Sequence, residues 1–122
     1  MSADKPTWRV RFTSPAEQDI KDIFSFIADR DGPDIADTIL SRFIQARDSL
    51  GELPDRGRIP PEMRHINVFS YREIQVPPYR VVYQAHHATQ EVHIHIVADG
   101  RRNCTELLKE RLFAPSSKKI NQ

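Results

Sequence analysis

The chain predicts an α+β domain with the element order β-α-α-β-β-β-α, in which a helical hairpin packs on one face of a small, mainly antiparallel sheet. Three observations lead there. Residues 8–13, Trp-Arg-Val-Arg-Phe-Thr, alternate apolar and polar side chains with the period of a half-buried strand. Two stretches with apolar residues at three- and four-residue steps follow, parted only by Asp31-Gly32-Pro33. Three strand-like runs then come so close together that only antiparallel neighbours accommodate the connections.

Each element carries its own signals. In the first strand Trp8, Val10 and Phe12 fall on one side and Arg9 and Arg11 on the other. Ser14 is placed to cap the next helix, with Pro15 preset for the first turn and Glu17 returning a bond to the Ser14 amide. Ala16, Ile20, Ile23, Phe24 and Ile27 form the stripe of that helix, and Asp19, Asp22 and Asp29 lie away from it. Phe26 falls at the flank, either packed there or part of a patch for a partner. The second helix opens at Asp34, carries Ala36, Ile39, Leu40, Phe43, Ala46 and Leu50, and ends near Gly51 as its C-terminal glycine. Glu52 to Ile66 holds Pro54, Gly57, Pro60 and Pro61, enough breakers to forbid a long regular element. Strands are expected over 68–76, 79–86 and 91–97, with turns at Pro77-Pro78 and at 87–90. Leu107, Leu108 and Leu112 belong to a short last helix capped by Thr105 or Asn103. The expectation is one domain over 1–122, with its core at about 8–113 and a fraying polar tail at 114–122. The sheet face away from the hairpin is expected to stay open to a partner.

Composition narrows the class. A chain of 122 residues, 39% hydrophobic and 29% charged, buries a core without disulfides or metal and reads as soluble. No apolar run approaches the roughly 20 residues of a membrane span, and the first residues lack an export signal, so a cytoplasmic location is expected. Cys104 stands alone, which excludes an internal disulfide and a Cys-rich metal site. No phosphate-cradling glycine loop, nucleophile elbow or nucleotide fingerprint is present, and no cofactor is expected. The net charge of +1 is unevenly spread: residues 1–54 hold seven Lys/Arg against ten Asp/Glu, and residues 55–122 hold eleven against seven. The second half therefore favours an anionic partner.

The chemistry-bearing residues cluster late. In the last strand Val92, Ile94 and Ile96 alternate with His93, His95 and Val97, which puts both histidines on the face opposite the isoleucines. Arg80, Val82, Gln84 and His86 share a face of the preceding strand, and Arg80 is expected near the histidines across the ladder. Arg101 and Arg102 sit just past the strand end, where guanidinium forks suit phosphate or carboxylate. Two readings stand side by side: the histidines transfer protons beside an arginine clamp, or they are ordinary surface residues while Arg80 pairs with Glu73 across the Pro77-Pro78 turn.

Ser14-Pro15-Ala16 with an acidic first helix, the Gly57-Arg58 and Pro60-Pro61-Glu62 loop, Tyr79-Arg80-Val81-Val82-Tyr83, and a last strand running into Gly100-Arg101-Arg102 resemble the ParE/RelE superfamily, the toxin halves of bacterial type II toxin–antitoxin modules. The resemblance covers roughly residues 8–113 and implies a RelE/ParE-like fold. It implies one of two actions. RelE-like members cleave messenger RNA on the ribosome, with cations on the scissile phosphate; here Arg80 and Arg102 match, with His93, His95 and Glu62 as an acid–base set. ParE-like members poison DNA gyrase by binding it, with Arg80, Arg101 and Arg102 as the target-binding residues. Tyr71 and Glu73 stand where RelE has lysines, and Leu108 replaces its late tyrosine. Losing cations weakens stabilisation of a phosphorane-like charge, so the ParE-like action is favoured. The resemblance also implies a cognate antitoxin, ParD-like or Phd/YefM-like, in a toxin–antitoxin hetero-oligomer. Its expected contacts are Ile23, Phe26 and Ile27. A third reading is a degenerate member that keeps only antitoxin binding.

Overall fold

The computed structural model describes residues 7–113, so the expected tail at 114–122 lies outside the described residues. Strand β1 (Arg9–Phe12) leads into helix α1 (Ser14–Asp31). The cap is Thr13, one residue ahead of the expected Ser14: its backbone is extended and its Oγ1 accepts from the Ala16 amide at 3.3 Å. Ser14 is already helical. Thr13→Ala is expected to cost about 1 kcal/mol, read as a lower urea midpoint with an unchanged slope.

Gly32 closes α1 and opens helix α2 (Pro33–Glu52) with φ +97°, a conformation that side chains rarely adopt. Its amide reaches the Ala28 carbonyl at 3.0 Å and its carbonyl receives the Ala36 amide at 3.2 Å. Pro33, rather than Asp34, is therefore the first residue of α2. Gly51 lies inside that helix instead of capping it, and its carbonyl accepts the Trp8 amide at 2.9 Å, which ties α2 to the start of β1.

The breaker-rich loop contains one short helix, α3 (Pro61–His65), which the sequence pattern did not specify. Asn67, with φ 62°, and the return of the Val68 amide to the Met63 carbonyl at 2.8 Å close that turn. Strand β2 therefore begins only at Arg72 and runs to Val76, shorter than expected. Strands β3 (Tyr79–His86) and β4 (Glu91–Asp99) follow, and helix α4 (Cys104–Phe113) ends the described chain. Asn103 caps α4, its Oδ1 accepting from Glu106 N at 3.1 Å.

The sheet order is β1-β4-β3-β2, with β1 parallel to β4 and the other pairs antiparallel. Between β3 and β4 the register slips: Val82 faces Ile96 and Tyr83 faces Ile94, so His95 is an extra residue in β4. The slip reverses the alternation. Val92, Ile94 and Val97 pack with Phe43, Leu50 and Tyr83 under the helical hairpin, whereas Ile96 and Ala98 join Met63, Val82, Cys104, Leu107 and Leu108 on the other side. The expected shared face of three branched residues, with Val97 among the histidines, is thus corrected from residue 96 onward. The open face is corrected as well, because α3 and α4 cover part of it with that second core. Among the described residues nothing packs over the end near Arg9, Arg11 and His93. Among the described residues no helix is long and apolar enough to cross a membrane.

Candidate functional site

Arg80 lies on the α4 side of β3 and is 6% exposed. Its Nε donates to Glu73 Oε1 at 2.6 Å, its Nη2 to Glu62 Oε1 at 2.9 Å, and its Nη1 to the Arg102 carbonyl at 3.0 Å. Glu73, 1% exposed, also receives Arg58 Nε at 2.8 Å. Two arginines and two glutamates thus form a neutral, hydrogen-bonded quartet. Glu62 does double duty: its Oε2 accepts the Cys104 amide at 2.9 Å, satisfying one of the free donors at the start of α4. Burial works to raise the Glu62 carboxyl, but the bonds from Arg80 and Cys104 outweigh it and hold the group below the usual glutamate value. Burial pushes the Cys104 thiol up to about 11, so it is an inert core side chain.

The structure brings Arg80 to Arg102, but through the Arg102 backbone, and it spends the Arg80 guanidinium on carboxylates. The pairing of Arg80 with Glu73 across the Pro77-Pro78 turn is observed. Arg101 and Arg102 are exposed on the β4–α4 turn, where Arg101 is held by Asp99 at 3.0 Å.

The histidines sit elsewhere. Arg80 faces Ala98, while His93 faces Gln84, four residues farther along β3 or on the order of 13 Å. The expected closeness of Arg80 to His93 and His95 is overturned, and with it a joint set with Glu62, which is bound to Arg80. His95 Nε2 meets Gln84 Oε1 at 3.0 Å, and its ring stands edge-on to Tyr71. Burial first, then the neighbouring His93, His86 and Arg111, lowers the His95 pKa to about 4, so it is a neutral imidazole. His93 pairs with Glu91 at 2.9 Å and lies 4.3 Å from the His86 ring.

A groove of about 350 Å³ runs between α1, the β4 edge beyond β1, and α4. Ile23 and Phe26 line one wall, and Asp99, Arg102 and Leu107 stand opposite. Phe26 is 59% exposed, with Arg30 over its ring at 5.0 Å. Ile27 is buried and offers nothing to a partner. At the floor Asp19 Oδ2 accepts the Val97 amide at 2.9 Å, and Arg111 donates to both Asp19 and the His95 carbonyl. Asp19 and Arg111 are 92 residues apart in the chain, and no sequence signal paired them.

Comparison with known proteins accounts for this architecture. The family model described as ParE toxin of type II toxin–antitoxin system, parDE, matches residues 10–104. No curated protein matches the chain. Among solved structures, the chain resembles the chromosomal ParDE system from P. aeruginosa with a TM-score of 0.61 and 16% identity, over 76% of this chain and 96% of that one. It also resembles the toxin–antitoxin complex RelBE2 from Mycobacterium tuberculosis, with a TM-score of 0.55 and 20% identity over 77% and 92% of the two chains. The archaeal RelE-RelB complex from Pyrococcus horikoshii OT3 gives 0.53 and 14% over 80% and 99%. These likenesses establish the fold, and the matched span of the family model establishes the lineage: the chain belongs to the ParE toxins of type II toxin–antitoxin systems.

Proposed function

We propose that this toxin arrests growth by binding DNA gyrase rather than by cutting RNA, and that an antitoxin neutralises it from the groove between α1 and α4. The observation that carries the reading is the saturation of Arg80. A guanidinium that already serves two carboxylates and a carbonyl has no fork left for a scissile phosphate. His93 and His95 lie too far along the sheet to move a proton beside it. The exposed Arg101-Arg102 turn remains as a contact for the target. The groove supports the antitoxin part, because apolar Ile23 and Phe26 stand next to charged Asp22, Asp99 and Arg102, the mixture that a segment folding on binding recognises. Gyrase and messenger RNA both place the action in the cytoplasm.

The test is parallel. Purified gyrase with excess toxin is expected to lose supercoiling, while transcripts in arrested cells stay intact. Normal supercoiling with cut transcripts would reverse the reading in favour of the RelE-like nuclease. Harmless expression with neither effect would leave a degenerate antitoxin-binding protein.

A further inference from the structure

We propose that the uncovered end of the sheet, where Arg9 and Arg11 of β1 flank His93 of β4, binds the phosphate backbone of a nucleic acid strand. The site is separate from the Arg101-Arg102 turn and stands whether or not gyrase is the target. Arg9 and Arg11 alternate with inward Val10 and Phe12, so both guanidinium groups leave the same face, about 6.7 Å apart along the strand. Their side chains are 71% and 59% exposed. Among the described residues Glu91 is the one carboxylate within ion-pair reach of either, and it lies at 3.9 and 4.0 Å, the far limit for a pair. That carboxylate is drawn instead to His93, at 2.9 Å. Two cations thus share one distant counter-charge, unlike Arg101, Arg58 and Arg111, each of which has a close acidic partner.

The rest of the face fits a strand of nucleotides. The imidazoles of His86 and His93, with ring centroids 4.3 Å apart, give a ring surface beside the guanidinium pair, and stacking on such rings tolerates any base. His86 Nε2 is buried behind that surface and has no hydrogen-bond partner among the described residues. A recess of about 430 Å³ opens between Arg11, Thr13, Ser14 and His93, beside the positive end of the long helix α1. Repeating phosphates match alternate arginines, and bases match the rings. An acidic peptide supplies the charge without the stacking partner, so the nucleic acid is the better occupant.

Fluorescence anisotropy of the full chain with a labelled mixed-sequence DNA strand about 20 nucleotides long, titrated with salt, tests the site. Replacing both residues, Arg9→Gln with Arg11→Gln, is expected to weaken binding about tenfold at low salt and to flatten the salt slope by about 1.4, the share of two phosphate contacts on a single strand. The Arg9→Lys, Arg11→Lys pair keeps most of the affinity, and Lys21→Gln with Arg42→Gln, exposed on the helical hairpin, leaves it unchanged. Both β1 positions are exposed, so melting temperatures stay at the parent value. Equal binding by the parent and the Gln pair would overturn the proposal. So would binding of polyglutamate as tight as that of the strand, which would assign the face to an acidic protein segment. None of these readings depends on supercoiling.

Discussion

Arg80→Ala is expected to lower stability by about 3 kcal/mol, the low end for removing one partner of a buried ion pair. The substitution leaves Glu73, 1% exposed, with only Arg58, and leaves Glu62 facing the start of α4 without its cation. It also frees the Arg102 carbonyl, so the exposed arginine turn loses the one side-chain bond from Arg80 and keeps the bonds of Gly100 to Pro78 and of Arg102 to Asp99. Urea unfolding gives the magnitude, and Arg80→Lys, which keeps the charge and loses the fork, should recover part of the loss. Combining Arg80→Met with Glu73→Met should cost less than the two single changes added, because an apolar pair leaves no stranded charge. A fully stable Arg80→Ala chain would sink the account of the quartet. The same result governs how activity data are read: loss of toxicity in Arg80→Ala follows from a displaced turn without any contact between Arg80 and the target.

The second large effect is on the acid side of neutrality. Between its ordinary value of 6.5 and its folded value of about 4, His95 takes up a proton in the unfolded chain but not in the folded one. Stability therefore falls as pH drops through that window, by up to about 3 kcal/mol, and the slope vanishes below it. Glu62 adds in the same direction at lower pH, since its depressed carboxyl contributes stability that is lost as pH falls from 4.5 through the lower folded value. Denaturant midpoints across acid pH, for the parent and for His95→Gln, separate the two: the variant should keep the lower step and lose the upper. A parent chain equally stable at about pH 5 and pH 7 would contradict the burial of a neutral imidazole.

The hairpin was legible because its apolar spacing, Pro15, and the Gly32-Pro33 break are local signals, and β1 declared itself by strict alternation. The strand order was not, since nothing in residues 8–13 says that the first strand runs parallel to the last. The α3 turn escaped because Pro60-Pro61 reads equally as a breaker and as a helix start. At the site, Arg80 and Glu73 announced their pairing through a short hairpin, but Glu62 and Cys104 are 42 residues apart and meet only when α4 folds back. The extra residue at His95 carried no glycine or proline to mark it, and so Ile96 and Val97 fall on the sides opposite to those that strict alternation predicts.

That one inserted position also dictates how the C-terminal strand has to be matched to those of its kin. In a homologue whose last strand lacks the insertion, the residue next after the equivalent of Ile94 takes the place of Ile96 in the second core, so equivalence by counting fails after Ile94 and a single gap at His95 restores it. Deleting His95 outright is accordingly expected to close the bulge into a regular ladder, with Ile96 still opposite Val82 and Asp99 still opposite Tyr79, whereas inserting a second residue there would turn the whole segment over.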